Sequence, residues 1–409
     1  MVAFMMHLLT VFLWTGHANA EIASVSEESS EIALVEIHDV TYPKVERVVN
    51  RTVRRIQRRR IMGSVVLISY KGDVIYLDRR GWQNKKIKQE MELDTLFRMY
   101  SLSKPVTSAA VLQLAEQGLI DLEDPIDKYI PELSDLEVYN PLGNKPAEQQ
   151  PTIGQLLCHS AGFSYGFFGV GPVDTLYNLN HPLMAKDSDG FIERLAVLPL
   201  VFEPGTDWRY GVSIDVLGVL IERVTGQSFG EYLETNIFEP LGMHDTGFVV
   251  LDEDIDRLGP MYTRFGVELE SIAESPFRTE RFESGGGGLV STMYDYHQFA
   301  EMIVHQGTVD GTQVLSEASV QLMQTNQLAE GVRAVNGDGF GYGFQVQIEA
   351  NNQSPVGEYT WDGIGSTHFW ASPEHDVYVI TLAQYMPFIP VMKYSLRPRI
   401  YKALDIEWQ

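Results

Sequence analysis

The alternation of apolar and polar positions changes period twice along the chain. From residue 45, Val45, Val48, Val49, Val53 and Ile56 share one face at helical spacing, opposite Arg47, Arg51, Arg54, Arg55, Arg58, Arg59 and Arg60. An amphipathic helix is predicted there. Two β-rich runs, 64–70 and 74–78, flank Lys71-Gly72-Asp73 and read as a hairpin. The middle of the chain is helical in pattern. Val106, Ala109, Ala110, Leu112, Leu114 and Ala115 lead to Gly118, and Val216, Leu217, Val219, Leu220, Ile221 and Val224 lead to Gly226. Further helices are predicted through Phe229–Ile237 and, after the glycine run 285–288, through Tyr296, Phe299 and Ile303. A short helix spans 152–159, and 121–133 is loop, broken by Pro125 and Pro131. Strand patterns return at 344–348, 367–371 and 377–382, before a closing helix through Ile400 and Leu404.

Strands at both ends with helices between them predict an α/β sheet completed by both halves of the chain, plus an inserted all-α lobe. The expected boundaries are 41–100 and 285–409 for the sheet domain and 101–284 for the lobe.

Composition alters this picture in three places. A net charge of −24 over 409 residues argues against nucleic acid and anionic membrane surfaces as partners. The single cysteine, Cys158, allows no internal disulfide and reads as a small buried apolar side chain. No histidine or cysteine spacing suits a metal, so neither metal nor cofactor is expected. Residues 1–20 are apolar, lack Lys, Arg, Asp and Glu, and close on Ala18-Asn19-Ala20. They read as a signal peptide cleaved after Ala20, with an uncleaved anchor as the alternative. Residues 21–40 follow as an acidic leader, and the protein is expected to be secreted or periplasmic, without stable membrane insertion.

Candidate chemistry centres on Ser101. Pro105 is tolerated only in the first turn of a helix, so the 106–115 helix must begin near that serine. Its hydroxyl then sits at the positive end of the macrodipole, with Lys104 one turn along on the same face. Hydroxyl, amine and helix terminus together can activate a serine without histidine. Gly162-Phe163-Ser164-Tyr165-Gly166 satisfies G-x-S-x-G, but that motif requires a preceding strand and a following helix, and neither is predicted. The glycines 285–288 lack the Lys-Ser/Thr of a phosphate loop. His159 reads as structural, bonding a backbone carbonyl. The aromatic, glycine-rich segment 163–171 reads either as a pocket wall or as a surface loop.

Taken in order, Phe97–Pro125, Thr152–Gly162, Pro204–Gly226, Pro240–Met243 and Gly285–Ser291 resemble segments of the β-lactamase and penicillin-binding superfamily. The resemblance is to the class C β-lactamase-like serine hydrolases and their esterase branch. It implies an antiparallel sheet flanked by helices and an acyl-enzyme on Ser101, with Lys104 and Tyr210 as catalytic partners. Tyr210-Gly211-Val212 stands where the family has Tyr-x-Asn, and Trp361-Asp362-Gly363 where it has Lys-Thr-Gly. By the same resemblance the oxyanion hole uses the backbone N–H groups of Ser101 and Ile364. Trp361, Gly363, Phe163, Tyr165 and Phe167 are the expected substrate contacts. Losing the motif lysine disfavours carboxylate-bearing β-lactams and peptides and costs neutral esters nothing. Ester hydrolysis of a small molecule is therefore expected first. A β-lactamase, a D-amino-acid peptidase or a non-catalytic sensor are the alternatives. One cation beside Tyr210 lowers a phenol from about 10 to about 7, which makes Tyr210 the expected base, sharing that role with Lys104.

Overall fold

A computed structural model describes residues 42–58, 61–263, 266–279 and 281–408. The signal peptide and leader expected over 1–40, and Arg59 and Arg60, lie outside the described residues.

The antiparallel sheet that the resemblance implies forms the centre of the fold and has eight strands. Three strands come early: β1 (Gly63–Tyr70), β2 (Asp73–Asn84) and β3 (Gln89–Glu90). Five come late: β4 (Gly339–Phe340), β5 (Gln345–Val346), β6 (Tyr359–Gly363), β7 (Thr367–Ser372) and β8 (Val377–Leu382). Their spatial order is β4-β5-β6-β7-β8-β1-β2-β3, antiparallel throughout. The seam between the two halves pairs Val65 with Leu382 and Leu67 with Ile380.

Both faces of the central strands are covered, so β7 and β8 are buried at every position and do not alternate. On one face lie helix α1 (Pro43–Gln57) and the closing helix Val391–Ala403. Val45, Val49, Val53 and Ile56 of α1 meet Val66, Ile68 and Val379 of the sheet and Leu396 and Ile400 of the closing helix. The arginines 47, 51, 54, 55 and 58 remain exposed on the outer side of α1. On the other face a 3₁₀ turn, Tyr100–Leu102, leads into helix α2 (Ser103–Glu116).

Helix α2 is buried almost all round, from Ser103 to Leu114, which explains why its sequence shows little amphipathic contrast. It packs on helix α3 (Ser213–Thr225), which ends at Gly226 in the left-handed conformation that glycine adopts freely. The described residues of 101–284 contribute no strand to the large sheet. Among the described residues, the α-helices Pro172–Asn180, Ser188–Ala196 and Glu317–Gln324 have no counterpart in the sequence reading. Among the described residues no helix is long and apolar enough to cross a membrane.

Candidate active site

Ser101 lies in the 3₁₀ turn, one turn before α2 proper. Tyr100, just before it, has φ +48°, a conformation a bulky side chain holds only when its surroundings enforce it. The Tyr100 ring is fixed edge-on against Phe277, with centroids 5.9 Å apart. It also covers Gly365, where a Cβ would come within 2.9 Å of the ring. The neighbouring strand β6 is held just as closely: a Cβ on Gly363 would stand 2.3 Å from the Met99 carbonyl and 2.2 Å from Thr367 Oγ1. The absence of side chains at 363 and 365 thus lets the sheet edge press against the turn that carries Ser101.

Lys104 Nζ reaches Ser101 Oγ at 3.3 Å and donates to the Gly286 carbonyl. Tyr210 donates its phenolic proton to Ser101 Oγ at 2.6 Å. The three residues taken from the sequence as catalytic therefore meet at one oxygen. Tyr210 is placed by the loop before α3. Arg209 N–H donates to the His159 carbonyl at 2.9 Å, and a Cβ on Gly211 would be 2.2 Å from the Phe163 carbonyl. Rings surround the phenol: His159 at 4.9 Å, Tyr165 at 5.1 Å, Trp361 at 5.2 Å and Phe168 at 5.5 Å between centroids.

The titration of the two partners reverses the sequence expectation. Burial pushes the fully enclosed Lys104 amine down to about 7, against the opposing pull of Asp215. Burial pushes the Tyr210 phenol up. Its contacts with Ser101 and the Trp361 indole oppose that rise, and the charges of Asp215 and Asp362 add to it. The expectation that Lys104 would ionise Tyr210 is therefore corrected. It counted one attractive charge and omitted the loss of water around both groups. In this site the amine is the group that loses its proton as the pH passes about 7, and the phenol keeps its own.

Asp215, on α3, is the functional residue the sequence reading missed. It is wholly buried, accepts from the Ser284 hydroxyl, from Gly286 N at 3.0 Å and from the Tyr165 hydroxyl at 3.3 Å. It thereby fixes the backbone to which Lys104 bonds. The glycine run also finds its reason here. A Cβ on Gly286 would lie 2.4 Å from Asp215 Oδ2, and Thr107 of α2 donates to the Gly285 carbonyl at 2.8 Å. The glycines let a backbone strand lie directly against the serine helix.

The other expected contacts divide. Tyr165, Phe167, Trp361 and Ile364 border the cleft at Ser101. Phe163 does not: it is fully buried, and it serves the site through its carbonyl against Gly211. Gly363 acts through close packing and lines neither part of the cleft. His159 does not bond a carbonyl through its ring; both ring nitrogens lack partners among the described residues, and the ring is clamped by Tyr210, Trp208 and Phe340. Ser164 is structural, donating to Asp174 at 2.6 Å. Cys158 is buried, its thiol pushed up to about 11 by desolvation. Among the described residues no group of three or more His, Cys, Asp or Glu could hold a metal.

In Trp361-Asp362-Gly363, the carboxylate of Asp362 accepts from Lys393 Nζ at 2.9 Å and pairs with His368 Nδ1 at 3.0 Å. Burial raises its proton affinity, but Lys393 and His368 outweigh that and hold it well below the usual carboxylate range.

The profile of the Beta-lactamase family matches residues 49–398. Protein Rv1367c of Mycobacterium tuberculosis is 32% identical over 353 residues, covering 81% of this chain and 88% of that protein. Esterase EstB of Burkholderia gladioli is 28% identical over 341 residues, covering 77% of this chain and 83% of the esterase. Among solved structures, EstCE1, described as a hydrolase with promiscuous acyltransferase activity, superposes with a TM-score of 0.76 at 25% identity, over 88% of this chain and 99% of that one.

Proposed function

The chain belongs to the beta-lactamase family, and from that premise we propose that this serine hydrolase cleaves carboxylic esters through an acyl-enzyme on Ser101. The observation that carries the reading is the meeting of Lys104 Nζ and Tyr210 OH at Ser101 Oγ, at 3.3 and 2.6 Å.

Neutral Lys104 takes the Ser101 proton as Oγ attacks the ester carbonyl carbon. The carbonyl oxygen becomes an oxyanion facing the N–H groups of Ser101 and Ile364. As the bond to the alcohol oxygen breaks, Tyr210 gives its proton to the leaving alkoxide and recovers one from the Lys104 ammonium. Water then repeats the sequence on the acyl-serine: its proton passes to the Tyr210–Lys104 pair, its oxygen joins the acyl carbon, and Ser101 leaves reprotonated. An alcohol in place of that water would complete an acyl transfer, the second activity named for EstCE1.

Two features favour esters over β-lactams and peptides. Trp361 puts an indole where penicillin-recognising relatives place a lysine, and the nearby cations Lys393 and Arg397 are already paired with Asp362 and Glu358. Beside Trp361, among the described residues, a substrate carboxylate would have to compete with Asp362 and Glu358 for these cations.

The test is mass spectrometry after a fluorophosphonate probe, with parallel rates on p-nitrophenyl butyrate and a chromogenic cephalosporin. The expected result is an adduct on Ser101, absent in Ser101→Ala, and faster ester turnover. Folded protein that takes no adduct would overturn the acyl-serine. A faster cephalosporin rate would overturn the preference for esters.

A further inference from the structure

The cleft at Ser101 opens into two chambers, both with apolar walls, that differ in the polar groups they add. One, of about 310 Å³, is walled by Tyr165, Phe167, Phe168, Phe282 and Met386, and by Arg281, whose guanidinium lies over the Phe277 ring at 4.2 Å from its centre. The other, of about 540 Å³, runs from Ser101 and Trp361 along the sheet edge to residues 351–354. Ser101, Phe168 and Ile364 border both, so a carbonyl on Ser101 stands at the junction.

The larger chamber sets side-chain amides among ring faces and charged groups that are bonded to one another. Gln345 and Gln347 each donate through Nε2 to Asp338, the second at 2.6 Å. Gln347 Oε1 in turn accepts from Asn351 Nδ2 at 3.1 Å and Ser354 Oγ at 2.6 Å. Asn352 stands exposed at the mouth. At the reacting end Trp361 is 8% exposed, and its indole N–H lies against the Tyr210 phenol without completing a well-formed hydrogen bond.

These features select among guests. An anion finds Lys393 held by Asp362 and Arg397 held by Glu358. A hydrocarbon would cover the rings but strip water from the amides between them without replacing its hydrogen bonds. A hydroxyl donates and accepts at one atom, which suits a wall of alternating amide donors and acceptors. The rings of Trp361 and Tyr394, both lining the chamber, offer apolar faces to the C–H side of a polyol.

We infer that the alcohol half of the substrate is a polyol, a sugar or glycerol unit, seated in the amide chamber, while an apolar acyl group occupies the aromatic one. The inference rests on the acyl-serine reading. It also gives deacylation a route: the polyol departs from the hydrated side, and water follows into the space it leaves.

The test uses the purified full chain and a pH-stat, which counts released acid for any ester. Glucose 6-O-butyrate and glycerol monobutyrate are compared with hexyl butyrate, so that the acyl group is constant. The expected kcat/KM favours the polyol esters by about tenfold, the worth of one or two added hydrogen bonds. In Asn352→Ala, a substitution at an exposed position, that ratio falls towards one. Hexyl butyrate turned over as fast as both polyol esters, or a ratio that Asn352→Ala leaves untouched, would overturn the polyol assignment and leave the acyl-serine standing. Failure of all three esters, together with no fluorophosphonate adduct on Ser101, would remove both.

Discussion

Lys104 Nζ sits 4.7 Å from the centre of the Tyr210 ring, over the face of the phenol, while the two polar tips approach Ser101 Oγ separately. Amine and phenol thus address the serine oxygen from two sides. Because burial brings the amine down to about 7 and pushes the phenol up, one group gains its catalytic form on raising the pH and the other keeps its own.

The pH dependence follows with a definite sign. Below about 7 Lys104 is an ammonium and cannot accept the serine proton; above it the amine is free. kcat/KM for p-nitrophenyl butyrate should rise tenfold per pH unit on the acid side and level off through pH 8–9, with Tyr210 still protonated. A profile that peaks at or below pH 6 would contradict Lys104 as the base.

Lys104→Met should trade activity for stability. The buried amine binds its proton far less readily in the folded chain than in the unfolded one. At pH 6, below the folded value, the native state bears the whole of that penalty. Removing it, less the cost of the unsatisfied Gly286 carbonyl, should stabilise the fold by about 1–3 kcal/mol at pH 6. Between about 7 and the unfolded value the gain should shrink as the pH rises, and hydrolysis should be lost throughout. Thermal melts of both proteins at pH 6 and pH 9 measure this, and a variant that melts below the parent at pH 6 would count against it.

Tyr210→Phe keeps the ring packing and removes the proton donor. Alkyl alkoxides need that proton and nitrophenolate does not, so the loss should be selective. A fall of about 10²–10⁴ in kcat is expected for ethyl butyrate, with a smaller one for p-nitrophenyl butyrate. Equal losses on both substrates would place Tyr210 in attack alone.

Asp215→Asn removes the charge that holds the Lys104 value up. The acid limb of the pH profile should therefore move to lower pH. Some stability should be lost with it, about 1–3 kcal/mol, because Gly286 N and Ser284 would face an amide in place of a carboxylate. Stopped assays across pH 5–8 resolve the limb. A limb that does not move would show that Asp215 is uncharged in the working enzyme.

Gly363→Ala should damage the oxyanion site without touching a reacting side chain. Its Cβ would press on the Met99 carbonyl and Thr367 Oγ1, both closer than any real contact. Separation of β6 from the serine turn should cost about 1–3 kcal/mol and lower kcat more than it raises KM. Unchanged kcat in a folded variant would argue that the Ile364 N–H is not placed by this contact.

What the sequence made legible was local. Ser101 and Lys104 are three residues apart, so helical geometry alone puts them together. The hairpin 64–78, α1, α2, α3, strands β7 and β8 and the closing helix all follow from periodicity. Tyr210 needed a resemblance, because nothing in its neighbourhood announces that it will cross to Ser101. Asp215 was hidden more deeply: its partners Ser284 and Gly286 are remote in the chain, and an acidic residue in the first turn of a helix looks like ordinary capping. The glycines 285–288 were weighed as a phosphate loop, while their use is to admit another backbone. The order of the two proton affinities was misjudged because spacing reveals which charges are neighbours but not how much water they lose.

The seam where β1 meets β8 has a bearing on synthesis. Gly63–Tyr70, a run of Val, Leu and Ile, leaves one edge unpaired until Val377–Leu382 has been translated and delivered. A nascent or prematurely ended chain therefore offers an adhesive apolar ribbon to its neighbours. Fragments that stop short of Val377 should precipitate, even though they hold Ser101, Lys104 and Tyr210 intact.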